Sequence, residues 1–252
     1  MTMKGIDISH YQDGLNLAES GVDFAVLKIS EGRTIADSAF EKHYANGLEA
    51  GIPLGAYVFS HAVTPAQAKA EVEFALALLK GRHLPLGIYM DVETTAQLQL
   101  TTGQLDETVR AFCEAVEAAG YVSGIYSSEY GAWSKLDPNS FGDSIVWVAH
   151  YGKEPQIPCD LWQSTDKGTL VNYSRPVDED IPRSARFEAL VRGEEEAPDP
   201  TPAPKTFPPD PSVAIIQMVM QYNGYWEKPV DGKKTPEFFE TLRSFTDDME
   251  VC

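Results

Sequence analysis

The sequence predicts an α/β protein: an irregular (β/α) barrel of the (β/α)5β3 type, followed by a small, mainly helical C-terminal module. Three observations carry that expectation. Strand-like segments alternate with helical ones over roughly the first 190 residues, and they number eight, as in a closed (β/α) barrel. After Val122 the connections shorten, so the later strands lack full crossover helices. Then a stretch rich in proline and acid breaks the pattern.

The strand segments fall at 4–9, 24–29, 54–60, 87–91, 122–127, 145–150 and 159–163, with a last short one near Val177. Helices are marked by their ends. Thr64-Pro65 opens AQAKAEVEFALALLK, which Gly81 stops: an N-cap, a proline at the first helical position and a glycine after the last. Thr102 opens GQLDETVRAFCEAVEAA, which Gly120 stops, and 38–50 is a third helix, closed by Gly51. Residues 1–192 therefore form the barrel. Residues 193–211, GEEEAPDPTPAPKTFPPDP, hold seven prolines and no periodicity, which is the composition of an extended linker. Residues 212–252 read as an amphipathic helix, turns at Asn223-Gly224 and Asp231-Gly232, and a second helix from Thr235-Pro236. A module that short is near the lower size limit for independent folding.

Composition narrows the function. The net charge is −18, which argues against nucleic acid or an anionic membrane as partner. No apolar run reaches the roughly 20 residues that span a bilayer. The start, MTMKGIDIS, has no apolar core of the kind a secretory leader carries, so none is expected. Cys113, Cys159 and Cys252 are odd in number and widely spaced, and read as free thiols. The five histidines show no metal-ligand spacing, so neither metal nor cofactor is expected.

Functional side chains of such a barrel gather where its strands end. Those ends offer Asp7, then Lys28 and Glu31, Tyr57 and Phe59, Asp91 and Glu93, Tyr126, Trp147 and Tyr151, Trp162-Gln163, and finally Asp178 with Asp180. Residues i and i+2 of a strand point to one side, so Asp91 and Glu93 share a face. Like charges that close raise the pKa of at least one member, which can then donate a proton near neutral pH. Acids ringed by aromatic faces suit a carbohydrate cleft. Each residue also has a plainer reading: a lone acid as a helix cap, Tyr57, Phe59 or Trp147 as packing, Lys28 and Glu31 as a structural ion pair.

GIDISHYQ, FAVLKISEG with the following AD, GAYVFSHAVTPAQAKAEVEFAL, IYMDVE, GIYSS, WVAHYG, LWQST and PVDED stand in an order covering nearly all of 4–185. That ordered set resembles glycoside hydrolase family 25, the Chalaropsis-type lysozymes. The resemblance implies hydrolysis of the β-1,4 bond between N-acetylmuramic acid and N-acetylglucosamine in bacterial peptidoglycan, with retention through substrate assistance. It implies Glu93 as general acid and Asp91 as the acid that steers the substrate's N-acetyl group or attacks directly. Asp7 and Asp178 match the other two acids of the family cleft, and Tyr57, Tyr126, Tyr151 and Gln163 match positions lining its sugar subsites. The implied setting is endolysin-like, with the enzyme held in the host bacterial cytoplasm until release; a bacterial autolysin is the alternative. A second alternative is a non-catalytic glycan-binding barrel, against which both strand acids stand.

The C-terminal pattern Val213, Gln217, Gly224-Tyr225, Val230-Asp231-Gly232, Thr235, Phe238, Leu242 and Phe245 resembles the type 1 peptidoglycan-binding domain. A cell-wall anchor is therefore expected there, with a helical tail for docking or homodimerisation as the alternative. An anchor would offset the repulsion between a −18 chain and an anionic wall.

Overall fold

The computed structural model describes residues 3–194 together with Ile216, Gln217, Met220, Phe238, Thr241 and Leu242. The first compact unit, Met1–Thr201, is the barrel. Its strands are β1 (Gly5–Ile8), β2 (Phe24–Glu31), β3 (Ile35–Ala36), β4 (Leu54–Phe59), β5 (Ile88–Asp91), β6 (Ser123–Ser128), β7 (Ile145–Ala149), β8 (Leu161–Leu170) and β9 (Tyr173–Pro182). Eight of them close a ring in the order β1-β2-β4-β5-β6-β7-β8-β9, and β3 is a two-residue flap on β2. Neighbours from β1 round to β8 are parallel; β9 runs antiparallel to both β8 and β1.

Alternation along the strands separates two cores. In β2, Ala25, Leu27 and Ile29 face outward into the layer shared with the helices, while Phe24 and Val26 face the barrel interior with Tyr89, Trp147 and Leu161. The covering helices are α1 (Phe40–Ala50), α2 (Pro65–Leu79) and α4 (Thr102–Ala118), joined by a one-turn α3 (Thr95–Leu98). Thr64 and Thr101 cap α2 and α4 by accepting from the backbone N–H of Gln67 and Gln104. Gly51 ends α1 at φ 68, a left-handed position that suits glycine. Helix α5 (Ala185–Arg192) stands at the strand starts, where Phe187 meets Phe24 edge-on at 5.3 Å.

The span from β1 to β2 is made by two 3-10 turns, His10–Gln12 and Leu17–Glu19. Two features differ from the sequence reading. Helix α1 begins at Phe40, not at residue 38, because Asp37 accepts from the backbone N–H of Ala39 and holds the entry as a turn. The last strand is not short. β8 and β9 form a ten-residue hairpin whose far half is largely exposed, with register shifts between Thr165 and Gly168 and again before Leu170. Polar residues and Pro176 hide that hairpin from a search for apolar alternation, and the register shifts are where a proline is tolerated.

The second unit is Pro202–Cys252. Its described residues are helical, and Met220 and Phe238 are buried together against Ile216 and Leu242. The expected linker beyond Glu194 and the remainder of the expected module lie outside the described residues.

Candidate active site

One strand face after another brings a polar group to the same end of the barrel interior. Asp7 pairs across β1–β9 with Asp178, and Tyr57 sits opposite Lys28 across β4–β2. Asp91 lies opposite Phe59 on one side and Tyr126 on the other; Tyr126 in turn faces Trp147. These groups, with Glu93 and Gln163, line a cleft of ≈ 330 Å³. Nine of the ten site residues expected from sequence therefore share one cavity. The tenth, Tyr151, joins it through a hydrogen bond.

That bond belongs to a fixed array. Gln163 accepts from the Tyr126 hydroxyl at 2.8 Å and the Tyr151 hydroxyl at 2.9 Å, and its Nε2 donates to Asp7 Oδ2 at 2.7 Å. Three strands and a loop thus orient Asp7. Trp147 forms the floor at 1% exposure, so it supports the cleft rather than presenting a face to it. Its ring is met edge-on by Tyr57, Tyr89 and Tyr126 at 6.4, 5.3 and 4.5 Å. Tyr89 fits because Gly124 stands beside it: a Cβ there would come within 2.3 Å of its ring.

The two acids at the end of β5, Asp91 in the strand and Glu93 two residues on, are unequal. Asp91 is buried, and its Oδ1 has no hydrogen-bond partner among the described residues; Glu93 is exposed to the opening. Burial first, then the neighbouring Glu93 and Asp7 charges, hold the Asp91 carboxyl well above the usual carboxylate range. Glu93 is raised by desolvation and held back by its hydrogen bond with Asp91. Burial, with Asp178 next, pushes Asp7 to about 8. Asp178 rises to about 6 from burial, Asp166 and Glu93. Both carboxyls of the Asp91–Glu93 pair therefore stand above the usual carboxylate range, in a cleft walled by aromatic groups. Such a pair can protonate a leaving oxygen while a second carboxylate faces the positive charge that develops.

Lys28 is the cation of this cavity. Its Nζ contacts Glu31 Oε2 at 3.0 Å and lies 4.8 Å from the Phe59 ring centre, so the ion-pair reading of Lys28 and Glu31 describes the contact seen. Glu31 also meets His61 at 3.2 Å. Sequence reasoning missed Tyr11 and Gln12, which line the cleft from a 3-10 turn that carries no strand signal. It noted Asp180 only as a companion of Asp178. A larger cavity of ≈ 570 Å³ opens near the strand starts, lined by Arg110, Glu117, Asp143 and Arg186. It holds no comparable set of coupled acids, so the smaller cleft is the candidate site.

The family model described as glycosyl hydrolases family 25 matches residues 6–173. The chain is 30% identical over 185 residues to the autolytic lysozyme of Clostridium acetobutylicum, covering 71% of this chain but only 55% of that protein. Among solved structures, the catalytic domain of endolysin ply40, from a Listeria monocytogenes bacteriophage, superposes with a TM-score of 0.66 at 26% identity, over 76% of this chain and 98% of that one. A bacterial lysozyme from Streptomyces coelicolor gives 0.64 at 26% identity, over 77% and 99%.

Proposed function

Since the chain belongs to glycosyl hydrolases family 25, we propose that it is a lysozyme that cleaves the β-1,4 bond between N-acetylmuramic acid and N-acetylglucosamine in bacterial peptidoglycan. One observation carries the reading: Asp91 and Glu93 stand together in an aromatic cleft, both carboxyls held above their usual range. Glu93, the more exposed member, serves as general acid and protonates the glycosidic oxygen. Asp91, buried below it, assists as a fixed carboxyl that steers the substrate's own N-acetyl group, giving retention. Asp7 and Asp178 hold the opposite wall. The non-catalytic alternative fits less well, because a glycan-binding cleft has no need of two adjacent acids whose desolvation raises both pKa values.

The setting we propose is endolysin-like: synthesis in a bacterial cytoplasm, then action on the wall. The C-terminal unit serves as the wall anchor, as its sequence pattern suggests. Glu93→Gln is the direct test. It should lower the release of muropeptides from purified peptidoglycan by three orders of magnitude or more, on the order of what removal of an essential catalytic group costs, with the circular dichroism spectrum unchanged. Turnover at the parent rate would sink the assignment.

A further inference from the structure

Below the cleft floor lies an acid that the chemistry so far does not use. Asp180 is wholly buried in β9, two residues beyond Asp178 and on the same interior face. The intervening Glu179 points outward to Lys4, at 2.7 Å. In register, Asp180 stands opposite Gly5 of β1 and Gln163 of β8, placing it diagonally beneath Asp7. Its Oδ1 accepts from the indole N–H of Trp147 at 2.8 Å. Its Oδ2 is buried, and among the described residues no N–H or hydroxyl reaches it. The Asp7 carboxyl is the neighbour that acts most strongly on Asp180, close enough for the two to interact directly.

Two carboxyls in contact inside a barrel cannot both be ionised, and a hydrogen bond between them requires one to carry the proton. Asp7 accepts from Gln163 and sits at the cleft; Asp180 lies deeper, without a second donor. The groups facing Asp180 are Asp7 from β1, Asp178 from its own strand, the Tyr89 phenol from β5 and the Trp147 indole from β7, and none of these is a cation.

We infer that Asp180 is a positioning residue for the cleft: it accepts from Trp147 through one oxygen and donates from the other to Asp7, fixing the cleft acid between Asp180 and Gln163. Nothing need be charged for this. The residue orients Asp7 as a neutral donor, much as an asparagine would.

The inference rests on the lysozyme reading only for its activity readout, and the test separates the two. Asp180→Ala strips the donor from Asp7 and the acceptor from Trp147, and should lower kcat on peptidoglycan about tenfold or more, the scale on which a misplaced group costs rate. Asp180→Asn keeps both hydrogen bonds, and should restore kcat to within about threefold of the parent. The infrared difference spectrum between parent and Asp180→Asn at neutral pH should show loss of one protonated-carboxyl C=O band. Should Asp180→Ala fail to fold, the asparagine variant and the infrared band decide alone. The inference is overturned if Asp180→Asn is as impaired as Asp180→Ala, if Asp180→Ala folds and keeps full kcat, or if the infrared band survives in Asp180→Asn. A parent protein that releases nothing from peptidoglycan would overturn the lysozyme reading instead, leaving the infrared result to judge Asp180.

Discussion

Asp7 shows how burial becomes a measurable pH dependence. Its carboxyl rises from 3.8 to about 8 because it is desolvated beside Asp178 and Glu93. A raised carboxyl pKa means that the native state retains a proton the unfolded chain has already released. The stabilising contribution is complete below the unfolded value of 3.8 and is lost as pH rises through about 8. Asp7→Asn removes the ionisation, so it should melt higher than the parent near pH 8, and the gap should narrow toward pH 5. Thermal melts across that range check it; a gap that widens as pH falls contradicts the sign. At this scale Asp7 and Asp91 were legible in sequence, since each is an interior position near the cleft end of a strand. The inequality of Asp91 and Glu93 was not. Whether Asp91 or Glu93 is buried depends on where β5 stops, one residue after Met90, and the motif IYMDVE does not mark that point.

Among the elements, those with apolar alternation on both faces were read correctly, because a strand buried on two sides leaves a run such as FAVLKI. The β8–β9 hairpin escaped for the opposite reason. Its outer half is solvated and irregular in register, so period-two apolar order disappears. The consequence reaches the site: Asp178 and Asp180 are mid-strand residues of an antiparallel element, not a strand end. The glycine of β6 has a sharper role than propensity suggests. Gly124→Ala would drive a methyl into the Tyr89 ring, which packs against Trp147. Overpacking of this kind costs about 1–3 kcal/mol. The variant should show a lower urea midpoint with an unchanged m-value, together with reduced activity, because the floor under Asp7 and Tyr126 shifts.

For the whole molecule, charge is the governing feature. On the proposed function, a chain of net charge −18 approaches an anionic cell wall against repulsion. Clearing of wall suspensions should therefore accelerate as ionic strength rises from about 0.01 M to 0.15 M, where the Debye length falls from roughly 30 to 8 Å. Loss of rate over that range would contradict the electrostatic account. The anchoring role proposed for the second unit is separable from cleavage. A chain ending after residue 194 should retain turnover on short soluble glycan fragments but sediment less with intact walls than the full chain; equal sedimentation would remove the anchoring role. Cleavage itself is tested most directly by the chemistry of the product. Purified peptidoglycan digested with the full chain, reduced with borohydride and hydrolysed should yield muramicitol as the new reduced end. Glucosaminitol in its place would mean a glucosaminidase and contradict the central claim.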